Sequence, residues 1–177
     1  PPALSEAAGR LLAGTPWMSA GAPLGVRDPS VLSRAVVVGL WDGACPSRIA
    51  HDTEVLSVIT HKDPVCAAAA AAFARAVSLG LTGEPSTPES FCREVAAVGS
   101  VADPGLGEEL RHLPRALSWE ASKALSLLRR VGVPRLELEG VEGLPPHVVP
   151  ALLVGLYAAL KVPHDFRQAL SLVLRCG

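Results

Sequence analysis

The chain has 177 residues, a formal net charge of −1 and a hydrophobic fraction of 49%, with only 4% aromatic residues. That length suits one domain, spanning residues 1–177, with a real core. The near-zero charge excludes a protein that holds nucleic acid on a clustered basic face. The apolar content is mostly Ala, Leu and Val, which suits close-packed helices.

The predicted elements are helix after helix. Residues 3–13 form a short helical pattern that ends at Gly14. Residues 15–28 read as a loop, because Pro16, Gly21, Pro23 and Gly25 interrupt any regular element. Asp28 or Ser30 caps a helix over 31–41, and Pro46 suits the first helical position of a helix over 46–59. Asp63-Pro64 is a further start signal, opening a helix that runs to Leu81 and stops at Gly83. Thr87-Pro88-Glu89 repeats the device before a helix through Val98. Residues 106–131 suit one or two helices with a break at Pro114. Residues 135–139 alternate in polarity but are too short to demand a strand, and 147–160 and 165–175 close the chain as helices. The fold class is therefore all-α.

Cys45, Cys66, Cys92 and Cys176 lie far apart with no Cys-x-x-Cys, which points to reduced thiols in a cytoplasmic protein rather than to a zinc site or a disulfide framework. The first residues carry no basic segment followed by an apolar run, so no secretory signal is visible. The longest apolar runs, 65–74 and 148–160, fall short of the roughly 20 residues a bilayer requires and read as core helices. The basic pair Arg129-Arg130 reads as a solvated helix end.

Chemistry concentrates in Ile59-Thr60-His61-Lys62-Asp63-Pro64, followed at once by six alanines, 67–72. A histidine at a turn between helices is expected to be accessible and to exchange hydrogen bonds near neutral pH. Asp63 suits a helix cap better than a catalytic carboxylate. The alanines let a neighbouring helix approach closely, and mean packing rather than a site. Asp28-Pro29-Ser30 opens a helix whose free amides can hold a phosphate, and Arg34 on its first turn can pair with a phosphate or with a carboxylate of the fold. The other carboxylates, Asp42, Asp52, Glu54 and Asp165, are scattered, with no Asp-x-Asp for a divalent metal. Neither a Gly-x-Ser-x-Gly elbow nor a phosphate-binding glycine loop occurs.

Four segments in order resemble the ADP-ribosylglycohydrolase family: residues 33–40, similar to its Met-Arg-Ala-x-Pro-x-Gly-Leu helix; 59–64, similar to its Thr-His-x-Asp-Pro segment; 148–160; and 165–177, similar to the Asp-Phe-x-x-Ala-Leu helix that leads into Gly-Gly-Asp-x-Asp-Thr. The resemblance implies a compact orthogonal multi-helix domain and magnesium-dependent cleavage of the glycosidic bond of ADP-ribose. It implies binding of ADP-ribose or an ADP-ribosylated substrate through Asp28, Ser30, Arg34, Thr60 and His61; charge and the short apolar runs point to no nucleic acid and no membrane as partners. It assigns no catalytic residue. Asp28-Pro29-Ser30 stands where the family has Gly-Asn-Gly, and both metal motifs, Thr-Asp-Asp and Asp-x-Asp-Thr, lack a counterpart in the chain. The expectation is an internal portion of a longer hydrolase, or a truncated relative, that binds no magnesium tightly, does not turn over alone and exposes apolar patches. The alternative is a non-catalytic ADP-ribose-binding or structural helical module.

Overall fold

Side-chain caps start the helices at Pro64 and Pro88 where the sequence puts them. A computed structural model describes residues 2–43, 45–83 and 87–176. Among them run α1 (Pro2–Leu12), α2 (Trp17–Ala20), α3 (Ser30–Trp41), α4 (Pro46–Val58), α5 (Pro64–Thr82), α6 (Pro88–Gly99), α7 (Pro104–Ala116), α8 (Ala121–Leu128), a 3-10 turn (Arg135–Leu138), α9 (Val148–Lys161) and α10 (Phe166–Leu174). No strand occurs among the described residues, so the fold is all-α. Asp63, Asp103 and Asp165 each accept a bond from an orphan amide of the following helix. Thr87 and Ser90 form a reciprocal capping box. Gly83 ends α5 at φ +73°, a conformation that costs a side chain dearly and glycine nothing.

The core is built around α5, which packs against α3, α4 and α6. Its alanines 67–72 are all buried. Small side chains on both partners let the backbones approach: a Cβ on Gly39 of α3 would lie 2.3 Å from the Ala74 carbonyl oxygen. A second close approach joins α6 to α7, where a Cβ on Gly107 would lie 2.5 Å from Ser100 Cβ. Leu110, Leu113, Leu152, Leu153 and Tyr157 supply the bulk. The helix α5 is long and apolar enough to cross a membrane, but 67% of its apolar window is buried within the protein, as a core helix requires. The four cysteines are free thiols, as their spacing suggested.

Three expectations are corrected. The segment 15–28 contains the one-turn helix α2, held by Arg10 Nη1 donating to the Ala20 carbonyl at 2.8 Å. The helix expected to break at Pro114 runs on to Ala116, because buried Leu106, Leu110, Leu113 and Ala116 form one apolar stripe across the proline. Arg129 is not merely solvated: its Nη1 donates to the Gly143 carbonyl at 3.0 Å, closing the turn after α8.

Candidate functional site

The turn from α4 to α5 and the loop before α3 are sewn together along their backbones. Ala22 N–H donates to Thr60 O at 2.8 Å and Lys62 N–H returns to Ala22 O at 3.0 Å, an isolated parallel bridge of Ala22 with His61. Only glycine fits at position 21, since a Cβ there would sit 2.4 Å from the Val58 carbonyl oxygen. Asp63 fastens the same junction from below. Its Oδ1 accepts from Val65 N–H at 2.9 Å, and its Oδ2 accepts from Gly25 N–H at 2.8 Å and from Arg27 Nε at 3.1 Å. Burial pushes its pKa up, but the Gly25 and Val65 amides and the Arg27 guanidinium outweigh this and hold it below the usual aspartate value. The Arg27 carbonyl in turn accepts from Val148 N–H at 2.7 Å, so the start of α9 locks on as well.

Above this seam the polar side chains converge. Arg34 Nη2 donates to Thr60 Oγ1. That hydroxyl therefore has its own proton free, and His61 Nδ1 lies 2.9 Å away. The Ser57 carbonyl lies 3.5 Å from the same hydroxyl as a second acceptor, and the Thr60–His61 bond runs in the direction that the His61 tautomer sets. Nε2 points towards Asp28 Oδ1 at 3.9 Å, too far for a hydrogen bond. Asp28 Oδ1 is instead engaged by the N–H of Ser30, the first residue of α3, at 2.7 Å. Arg34, Thr60 and His61 form a hydrogen-bonded chain that ends in an unpartnered ring nitrogen, His61 Nε2.

The site is short of acceptors. Ser30 Oγ, Arg34 Nη1, Ser57 Oγ and His61 Nε2 are buried with no hydrogen-bond partner. Buried polar atoms are normally satisfied, so four such atoms within one junction are unusual. No carboxylate among the described residues lies within ion-pair distance of Arg34. Burial lowers the Arg34 pKa, opposed by the charge of Asp28. Burial also lowers the His61 pKa, with Asp28 opposing and Arg34 assisting.

All five residues expected to bind ligand, Asp28, Ser30, Arg34, Thr60 and His61, meet here. One expectation fails: His61 is not accessible but 1% exposed, because the bridge to Ala22 folds the loop over it. Two members went unforeseen. Arg27 is the partner of Asp63, and its single signal was a lone cation beside Asp28. Ser57 lies one helical turn before His61, a spacing that could have marked it.

The donor set does not suit a magnesium ion. Among the described residues no group of three or more His, Cys, Asp or Glu side chains is placed to hold a metal. Asp63 has both oxygens engaged, Asp28 has one, and the Arg34 cation stands beside them.

Compared with known proteins, residues 2–177 match the family model described as ADP-ribosylglycohydrolase. No curated protein and no solved structure gives a significant match.

Proposed function

The chain belongs to the ADP-ribosylglycohydrolase family, and from that premise we propose that the junction of loop 21–28 with the α4–α5 turn receives the ADP-ribose part of an ADP-ribosylated substrate. The observation that carries this is the set of unpartnered buried polar atoms on Ser30, Arg34 and His61. An ADP-ribose group offers what they lack. Its diphosphate supplies anionic oxygens for Arg34, and its ribose hydroxyls exchange hydrogen bonds with His61 Nε2 and Ser30. Thr60 positions His61 by holding its Nδ1, and Asp28 holds the start of α3 in place.

The family's hydrolases cleave the glycosidic bond with the help of a divalent metal. The residues here do not provide such a site, and no step through one is derived. The chain by itself is proposed to bind without turning over. A reducing cytoplasmic setting belongs to the same proposal, supported by four free cysteines.

Isothermal titration with ADP-ribose tests this. Saturable binding is expected, weakened about 10-fold or more in Arg34→Ala and in His61→Ala, since each leaves ligand oxygens unpaired. Titration with magnesium chloride is expected to give no saturable heat at micromolar concentration. Absence of ADP-ribose binding in the parent chain would favour a structural role, and tight magnesium binding would show that the chain holds a metal site.

A further inference from the structure

The segment that follows α8 gathers arginines. Residues 129–143 fold back on themselves, and Gly132, Gly140 and Gly143 take the left-handed backbone, at φ +71°, +76° and +95°, that the reversals need. Val133 N–H donates to the Arg130 carbonyl at 3.3 Å and Val141 N–H to the Leu138 carbonyl at 3.4 Å, which pins two of the turns. The bond from Arg129 to the Gly143 carbonyl closes the segment. It encloses a cavity of about 220 Å³ whose charged lining is Arg129, Arg130, Arg135 and Glu139. No residue of the candidate site lines it, nor do Glu137 and Glu142 of the same segment.

The charges around this cavity do not cancel. Three guanidiniums face one carboxylate. Among the described residues none of the three is within ion-pair distance of any carboxylate, Glu139 included. Arg129 spends one of its five N–H donors on Gly143, and among the described residues neither Arg130 nor Arg135 donates a side-chain hydrogen bond.

We propose that this cavity binds the phosphate or diphosphate group of a small ligand, at a second site separate from the α4–α5 junction. A guanidinium presents paired N–H donors that match phosphate oxygens two at a time, and it is weakly hydrated. Three guanidiniums call for an anion with many oxygens, which a phosphate supplies and a carboxylate does not. The repulsion among the three cations is relieved when the anion enters. Glu139 opposes the ligand and keeps the affinity modest.

The test records amide NMR spectra of the full chain in a phosphate-free buffer of low ionic strength, titrated with sodium pyrophosphate. The signals of Gly132, Gly140 and Gly143 should shift saturably. Affinity should fall about 10-fold in Arg130→Gln and in Arg135→Gln, each of which removes charge-assisted bonds. Arg135→Lys, which keeps the charge and loses the fork, should fall between. Glu139→Gln should bind more tightly. Arg34→Ala should leave these shifts in place, so this site and the ADP-ribose site fail independently. Circular dichroism confirms that each variant keeps its helices, and either glutamine variant suffices should the other unfold. The absence of a saturable shift up to about 10 mM pyrophosphate overturns the proposal. An equal response to sodium acetate overturns it too, as does undiminished binding in folded Arg130→Gln or Arg135→Gln.

Discussion

Asp63 holds more of the site together than any other side chain. It caps α5, anchors Gly25 and pairs with Arg27, all while 4% exposed. Asp63→Ala should lower stability by about 2–4 kcal/mol, because it removes a cap and leaves a guanidinium and two amides unpaired. Urea denaturation measures this. The pKa of Asp63 is depressed in the folded state. Its stabilising contribution is therefore present above the unfolded aspartate value and is lost as pH falls through the lower folded value. His61 and His147 titrate nearer neutrality. Burial sets both below the ordinary 6.5. For a base with a depressed folded pKa, the unfolded chain binds more protons, so stability rises with pH through that range. Unfolding free energy should accordingly fall as pH drops from 7 to 5, and His61→Gln should flatten part of the slope. The types and the grouping of the site residues were legible in the sequence, since five named positions converge. The burial of His61 was not. It depends on a backbone bridge to a residue 39 positions earlier, and no local pattern announces such a pairing.

At the scale of elements, the helix starts were the most readable feature. Asp63-Pro64 and Thr87-Pro88 carry the cap and the missing amide in adjacent residues, so two neighbours suffice to specify each start. Ends were less readable. Pro114 interrupts a local pattern, but the apolar stripe of α7 continues past it, and tertiary packing prevails over the lost bond. The alanine run of α5 was legible as packing, although its partner was not. Gly39 on α3 meets Ala74, a contact 35 positions away along the chain. Gly39→Ala should therefore be costly despite its modest chemistry. A methyl group 2.3 Å from a carbonyl oxygen forces α3 and α5 apart. The expected loss is about 2–3 kcal/mol, read from a shifted denaturation midpoint with unchanged slope.

Across the whole molecule, burial sorts the cysteines. Cys66 and Cys92 lie in the core, where burial pushes their thiols up to about 12. Burial also raises Cys176. Cys45, half-buried at the start of α4, is lowered instead, first by its contact with the Ser47 hydroxyl. One thiol of the four should therefore react rapidly with Ellman's reagent in the native protein, and the other three only on unfolding. Cys45→Ser should abolish the rapid phase. Even spacing gave no hint of this ranking, because only the packed core distinguishes one thiol from another.

The seam at Ala22, Gly25 and Asp63 has a kinetic side. Gly25 N–H bonds to Asp63 Oδ2 across 38 residues, and both α3 and α4 lie inside that span. Closing a loop of this length costs entropy before any contact rewards it. The candidate site residues on either side of the seam cannot meet until the helical hairpin between them has docked on α5. Any molecule that bridges the seam therefore closes the same loop, and at saturation it would slow the escape of the hairpin and stabilise the native chain by mass action. Amide hydrogen exchange at Ala22 and Lys62 would record that closure directly, as slower opening when the bridging molecule is bound.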